Sequence, residues 1–315
     1  MPCIIMRPKL YLARLFPDPV MAVIRERFQL TVSPADHPPS SAEIRSGIRD
    51  AQAAICTLNE RMDAETMAAA PALRVIANYA VGYNNIDVEA AKARGIVVTN
   101  TPDVLTNATA DLTWALILAV ARRVVEGDQL VRQHQWTGWS PTQMLGVDLS
   151  GKTLGIIGMG RIGQAVARRA TGFEMNVLYW TRSERSPKEL HASWQRVSFE
   201  ELLRRSDFIS LHIPLTPDTH HLINDAALRL MKPTAFLINA SRGPVVDEAA
   251  LVQALQEHRL AGAGLDVYER EPELQRGLRE LTQVVLLPHL GSATSETRIR
   301  MGLMCVENVL AVLEG

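Results

Sequence analysis

Three polar side chains in the second half of the chain have the types needed to reduce a carbonyl. Arg242 lies in Asn239-Ala-Ser-Arg242-Gly, Glu271 precedes Pro272, and His289 lies in Pro288-His289-Leu-Gly291-Ser292. Each context reads as a loop or strand end, where reactive side chains usually sit on a rigid scaffold. Singly, each has an ordinary alternative: Arg242 as a surface cation, Glu271 as a turn acid, His289 as a satisfied core histidine. Together they supply an anchor for an anion, a proton donor and a carboxylate to tune it, the set that ketone reduction by hydride requires.

A hydride donor is implied upstream. The segment Lys152-Thr-Leu-Gly-Ile-Ile-Gly158-Met-Gly160-Arg161-Ile162-Gly163 places G-x-G-x-x-G between an apolar strand and a helical pattern, the context this motif needs. Gly158 permits the tight turn, Gly160 lets the backbone approach a pyrophosphate, and Gly163 lets the helix pack closely, while free amides at the helix start receive the anion. The bland alternative is a glycine-rich turn without a ligand. In an NAD site, an acid about 20 positions further on accepts hydrogen bonds from the ribose. Here the strand ends Tyr179-Trp180-Thr181-Arg182-Ser183, with no carboxylate. Arg182 and the Thr181 and Ser183 hydroxyls suit a 2′-phosphate, so NADP is the preferred cofactor and NAD the second choice; Arg182 as a merely solvated cation is the alternative.

These groups need a scaffold, and the rest of the chain describes one. Short β-branched runs alternate with helical patterns from Lys9 to Tyr79, and a second such series runs from Lys152 to Val267, which argues for parallel sheets. Between them, Asn107 to Gln133 repeats apolar residues at helical spacing and is expected to form one interdomain helix. The last stretch, Ser295 to Leu313, is helical by pattern, with Ile299, Leu303, Val306, Val309, Leu310 and Leu313 on one side, and is expected to return to the first domain. At 315 residues the chain is long enough for two domains, and 47% apolar with 21% charged residues suits globular cores.

Composition also removes function classes. A net charge of −1 with dispersed Lys and Arg offers no basic stripe for nucleic acid. Cys3, Cys56 and Cys305 lack the spacing of a metal site or redox pair, so no metal is expected and reduced thiols in the cytoplasm fit. The apolar run Trp114 to Ala121 stops at Arg122 and Arg123, short of a membrane span, and the N-terminus lacks the apolar core of a signal peptide.

Over essentially its whole length the chain resembles the D-isomer-specific 2-hydroxyacid dehydrogenase family. The resemblance rests on Val81-Gly82-Tyr-Asn-Asn-Ile-Asp87, the glycine fingerprint, Leu211-His-Ile-Pro214-Leu-Thr216, Ile238-Asn-Ala-Ser-Arg-Gly-Pro-Val-Val-Asp247, Gly264-Leu-Asp-Val-Tyr-Glu-Arg-Glu-Pro272 and Leu287-Pro-His-Leu-Gly291. It implies that Arg242, Glu271 and His289 are catalytic: Arg242 forks onto the substrate carboxylate and keto oxygen, His289 delivers the proton, and Glu271 favours the charged imidazole. It also implies cofactor contacts from Arg161, Ile162, Pro214, Thr219, Ala240, Arg242, Asp266, His289 and Gly291, and substrate contacts from the Val81 and Gly82 amides and from Asn59. Asp266 could equally cap a neighbouring loop, and Gly82 could simply close a strand.

The Tyr179 to Ser183 segment is similar to the glyoxylate and hydroxypyruvate reductase branch, in which a tryptophan like Trp139 reaches the neighbouring subunit's pocket. Trp136 and Trp139 in a polar segment need burial, for which a homodimer interface is the expected partner; packing without substrate contact is the alternative. The expected substrate is a small 2-keto acid, glyoxylate or hydroxypyruvate. Other D-2-hydroxyacid dehydrogenases, phosphoglycerate dehydrogenase among them, and dinucleotide-sensing corepressors are the competing readings. The glutamate at 271, where formate dehydrogenases carry glutamine, disfavours formate. The fold implied is α/β with two doubly wound parallel-sheet domains: a Rossmann cofactor domain, 108–288, inserted in a flavodoxin-like substrate domain, 1–107 and 289–315, with the active site in the cleft between them.

Overall fold

The computed structural model describes residues 7–33, 37–182 and 190–315; Cys3 and Ser183 lie outside them. The chain divides into two compact units, one of Met1–Leu105 with Ser292–Gly315, the other of Thr106–Gly291. In the smaller unit β1 (Lys9–Leu12), α1 (Asp18–Arg27), β2 (Gln29–Val32), α2 (Ser41–Ile48), β3 (Ala53–Cys56), α3 (Ala64–Ala68), β4 (Val75–Asn78), α4 (Val88–Ala93) and β5 (Val97–Thr99) alternate. Their sheet is wholly parallel in the order β2-β1-β3-β4-β5, the flavodoxin-like order. β3 and β4 are buried at every residue, as strands covered on both faces must be. The helices start where side chains satisfy their first amides: Ser40 and Glu43 form a capping box on α2, and Asp63 and Asp87 cap α3 and α4.

The larger unit opens with α5 (Thr106–Ala121) and α6 (Val124–Arg132). There follow β6 (Thr153–Ile157), α7 (Arg161–Ala170), β7 (Asn176–Trp180), β8 (Gln195–Arg196), α8 (Phe199–Arg205), β9 (Phe208–Leu211), α9 (Asp225–Leu230), β10 (Phe236–Asn239), α10 (Glu248–Gln256), β11 (Gly262–Leu265) and β12 (Val284–Leu286). The parallel order β12-β11-β10-β9-β6-β7-β8 is that of a Rossmann sheet, with the strand order reversing between β6 and β9. The final helix, α11 (Ser295–Glu314), packs on β4 and α1 and so completes the smaller unit. No helix among the described residues is long and apolar enough to cross a membrane.

Three expectations need correction. The helix expected over Asn107 to Gln133 is two helices, because Arg123 turns left-handed at φ 54° and Val147 brings its amide to the Ala121 carbonyl, closing off the end of α5. The buried side of α11 is Met301, Gly302, Cys305, Val306 and Val309, whereas Ile299, Leu303, Leu310 and Leu313 are only half-buried. Gly302 sets that rotation, since a Cβ there would stand 2.6 Å from Val20. Finally, the larger unit runs past Pro288 to Gly291, because the Leu290 and Gly291 amides are tied to Asp266.

Candidate active site

Parallel pairing puts the carboxyl ends of β6, β7, β9, β10, β11 and β12 along one edge of the larger sheet, and the proposed cofactor and catalytic residues of that unit follow these strand ends. Gly158 follows β6 at φ 99°, and a Cβ there would lie 2.4 Å from the His212 carbonyl oxygen. At Gly163 a Cβ would meet the Gly158 carbonyl oxygen at 2.1 Å. Gly160 is different: its Cβ would meet no protein atom within 4 Å. Packing therefore demands glycine at 158 and 163 but not at 160, where the open space suits close approach of an anion to the backbone. Gly160 is also the N-cap of α7 and supplies no side-chain cap, and a helix N-terminus of this kind attracts an anion. This cradle fits a dinucleotide pyrophosphate.

Across β9, the proposed reaction centre gathers on the ends of β10, β11 and β12. His289 Nδ1 lies 2.9 Å from Glu271 Oε2, and the Tyr268 amide donates to Glu271 Oε1 at 3.0 Å. Burial alone would raise the Glu271 carboxyl; the His289 hydrogen bond and charge, the Tyr268 amide and Arg242 outweigh it and hold the group below the ordinary carboxylate range. Arg242 has one guanidinium nitrogen, Nη1, on its neighbour's Ser241 carbonyl at 2.7 Å, and the rest of the fork has no protein partner among the described residues. Burial pulls its pKa down while Glu271 opposes that, and an arginine so placed stays cationic. His289 itself sits at φ 56°, a left-handed conformation that costs about 1–3 kcal/mol for a non-glycine residue and recurs at functional sites.

Asp266 shows what holds this strained turn. It is 1% exposed, and its two oxygens accept the Leu290 and Gly291 amides at 2.6 and 2.8 Å. It therefore caps the loop that presents His289, the alternative role allowed for it. Thr219 likewise works inside the protein: its hydroxyl donates to the Pro214 carbonyl and accepts the Thr216 amide, shaping the turn that exposes Pro214. Ile162 packs on the core of the larger unit, Arg161 is exposed, and Ala240 is half-buried beside Arg242.

Arg182 follows β7 as expected, but a carboxylate meets it from another loop: its Nη1 lies 3.1 Å from Asp218 Oδ2, both side chains being largely exposed. Thr181 offers its backbone carbonyl to Arg196. Trp136 and Trp139 are exposed within the chain, Trp139 at 82%.

In the smaller unit, the Val81 and Gly82 carbonyls are anchored by Asn100 and Asn78 side chains at 2.8 Å each. Their amides donate to nothing among the described residues, so the turn has two donors for an anion. Asn59 is exposed on the loop after β3, which Asn85 ties to this turn through the Thr57 and Glu60 carbonyls.

Several positioning residues had no sequence reading of their own. Asn239 accepts the Ser241 amide and hydroxyl and donates to the Arg242 carbonyl, folding the turn around Arg242; the Asn-x-Ser pattern is the signal that could have shown it. Tyr268, whose hydroxyl donates to the Leu287 carbonyl, and Asn78 and Asn85 gave no comparable signal, because their partners are distant in sequence.

The chain resembles known proteins at both levels. Residues 114–291 match the family model described as D-isomer specific 2-hydroxyacid dehydrogenase, NAD binding domain. A glyoxylate reductase of Thermococcus kodakarensis is 50% identical over 98% of this chain and 94% of its own length. A crystal structure from Thermus thermophilus superposes with a TM-score of 0.91 at 48% identity, covering 98% of this chain and 97% of that one. An NADPH-dependent glyoxylate/hydroxypyruvate reductase of Sinorhizobium meliloti, solved with NADP and malonate, superposes at 0.87 with 35% identity, over 97% of this chain and 93% of that one.

Proposed function

The chain belongs to the D-isomer-specific 2-hydroxyacid dehydrogenase family, and from that premise we propose that it reduces glyoxylate or hydroxypyruvate to the 2-hydroxy acid, D-configured where the product is chiral, with NADPH preferred over NADH. It is a reductase of small 2-keto acids that uses a nicotinamide dinucleotide. The observation that carries the mechanism is the 2.9 Å contact of His289 Nδ1 with Glu271, which commits that nitrogen to the carboxylate and leaves Nε2 for the substrate.

The bound cofactor supplies the hydride. Arg242 receives the keto oxygen and carboxylate on the open part of its fork and stabilises the negative charge that develops on the oxygen. The Val81 and Gly82 amides take the carboxylate. His289 gives its Nε2 proton to the alkoxide, while Glu271 holds the imidazole in orientation. Asp266 keeps the His289 turn in place.

NADPH preference rests on Arg182 at the end of β7, where Thr181, Arg182 and Ser183 follow the strand with no acid among them. Asp218 tempers it, because a 2′-phosphate must share Arg182 with that carboxylate. Initial rates of NADPH and NADH oxidation with each keto acid test the whole reading. Faster turnover with NADPH is expected, and Arg182→Ala should raise the NADPH KM about ten- to hundredfold, the worth of one charge-assisted hydrogen bond, with little change for NADH. Faster turnover with NADH in the parent would overturn the cofactor preference; no turnover with either acid would overturn the substrate.

A homodimer completes the proposal. Val124, Val131, Trp136, Trp139 and Leu145 are all more than half exposed within one stretch of chain, beside an open groove of about 260 Å³ lined by Val125, Leu145, Val147 and Phe236. Such a concentration of exposed apolar residues marks an association surface, and a second copy of the chain is the occupant that the Trp139 reading requires. Trp139→Ala is expected to lower kcat/KM for hydroxypyruvate; unchanged kinetics with the dimer intact by light scattering would leave Trp139 as packing only. Cytoplasmic residence, where the buried free thiols Cys56 and Cys305 stay reduced, belongs to the same reading and is checked by cell fractionation.

A further inference from the structure

Residues 268–271, which deliver Glu271 to His289, are clamped by a side chain outside the reaction centre. Glu248, the first residue of α10, is 3% exposed, and its Oε1 accepts the Glu269 amide at 2.9 Å. Glu269 reciprocates: its Oε2 accepts the Glu248 amide at 3.2 Å, while its Oε1 lies 2.6 Å from His221 Nε2. Two segments thus exchange carboxylate-to-amide bonds in both directions.

The clamped stretch carries Glu271, meets His289 through it, and packs against the residue next to Arg242. The Tyr268 amide donates to Glu271, and the Tyr268 hydroxyl to the carbonyl of Leu287, just ahead of His289. Gly243, next to Arg242, lies so close that a Cβ there would stand 1.9 Å from the Tyr268 carbonyl and 2.4 Å from the Glu269 nitrogen. A shift of the 268–269 backbone would therefore displace both Glu271 and the Arg242 turn.

A glutamate is a costly choice for this buried place. Burial pushes its carboxyl up to about 7, and the Glu269 and Glu271 charges add to the rise. An apolar residue would avoid that cost but would leave the Glu269 amide without its acceptor. Either protonation state of Glu248 keeps an oxygen for that amide, so glutamine is a conservative replacement.

We propose that Glu248 is a positioning residue for the reduction: its carboxyl group holds the Glu269 amide, fixes the 268–271 backbone, and so sets Glu271 on His289. The proposal rests on the reading of Glu271 and His289 as the proton-delivery pair.

The test is a double-mutant cycle on the full-length enzyme, measuring kcat and KM for glyoxylate and NADPH in the parent, Glu248→Ala, Glu271→Gln and the double variant. Glu248→Ala is expected to lower kcat about 10- to 100-fold, the scale on which small misplacements cost rate, with NADPH KM changed less than about twofold. Added to Glu271→Gln, it should cost about threefold at most, because its route to the imidazole is gone. Glu248→Gln should keep kcat within about threefold of the parent. Glu248→Asp withdraws the acceptor by one methylene while keeping the charge; it replaces the alanine variant if that fails to fold, with kcat expected below that of Glu248→Gln. If Glu271→Gln loses rate while Glu248→Ala (or Glu248→Asp) is neutral or fully additive with it, this proposal alone is overturned. A neutral Glu271→Gln would overturn the proton-pair reading and this proposal with it.

Discussion

His289→Asn is expected to lower kcat for glyoxylate reduction by about 10²- to 10⁴-fold, the usual worth of a positioned general acid. Asparagine can still donate to Glu271 Oε2 in place of His289 Nδ1, which lies 2.9 Å away, and it tolerates the left-handed backbone found at this position. The loss therefore reports the proton rather than a collapsed turn. Glu271→Gln is the companion test, and its effect has a sign. Against burial, the His289 hydrogen bond holds Glu271 below the ordinary carboxylate range, so it is ionised at neutral pH and puts a negative charge beside the imidazole. As pH falls through the lowered titration of Glu271 that charge is lost and the rate should fall with it, at pH values below the ordinary carboxylate range. Glutamine has nothing to titrate there, so Glu271→Gln is expected to be slower at neutral pH and to lack that acid limb in its kcat profile. A His289→Asn enzyme with parental kcat, or a Glu271→Gln profile that keeps the acid limb at parental rate, would exclude this pair as the proton donor.

Arg242→Lys carries the second large effect. Lysine retains the positive charge but presents an ammonium point instead of a planar fork. In the protein, one arginine nitrogen is already engaged by the Ser241 carbonyl, and Asn239 holds the turn around it, so the fork is aimed before substrate arrives. Lysine cannot both keep that backbone contact and meet two substrate oxygens. The variant is expected to lose about 10²- to 10³-fold in kcat, some 2.7–4 kcal/mol, the scale found when a preorganised oxyanion donor is removed. KM for the keto acid should rise as well, because the carboxylate loses a bidentate partner. Stopped-flow reduction at saturating NADPH separates the two terms. A parental single-turnover rate in a folded variant would place Arg242 outside the reaction.

Much of the scaffold for this chemistry was legible residue by residue. G-x-G-x-x-G could be read because each glycine answers a local demand, and the structure separates those demands: collision at Gly158 and Gly163, open space at Gly160. Alternation of β-branched runs and helical patterns foretold two parallel sheets, which the observed strand orders bear out. The long helix expected after Asn107 failed at Arg123, since its break is made by Val147 returning to the Ala121 carbonyl, a contact that periodicity does not contain. The buried face of α11 was misplaced for the same kind of reason: Val20 and Gly302 decide how closely that helix can approach.

By itself, the sequence determined what depends on neighbours along the chain: the phosphate-binding turn, the strand and helix alternation, and the loop contexts of Arg242, Glu271 and His289. Only the tertiary structure decided the partnerships. Parallel strand order brings the ends of β10, β11 and β12 together, so that Glu271 finds His289, Asp266 caps the Leu290 and Gly291 amides, and Glu248 reaches Glu269. It also sets Asp218 against Arg182, a carboxylate that no residue adjacent to β7 announces. Local patterns specify which backbone each residue adopts, whereas hydrogen bonds and charges act through space, and their partners are fixed only once the sheet has set its strand order.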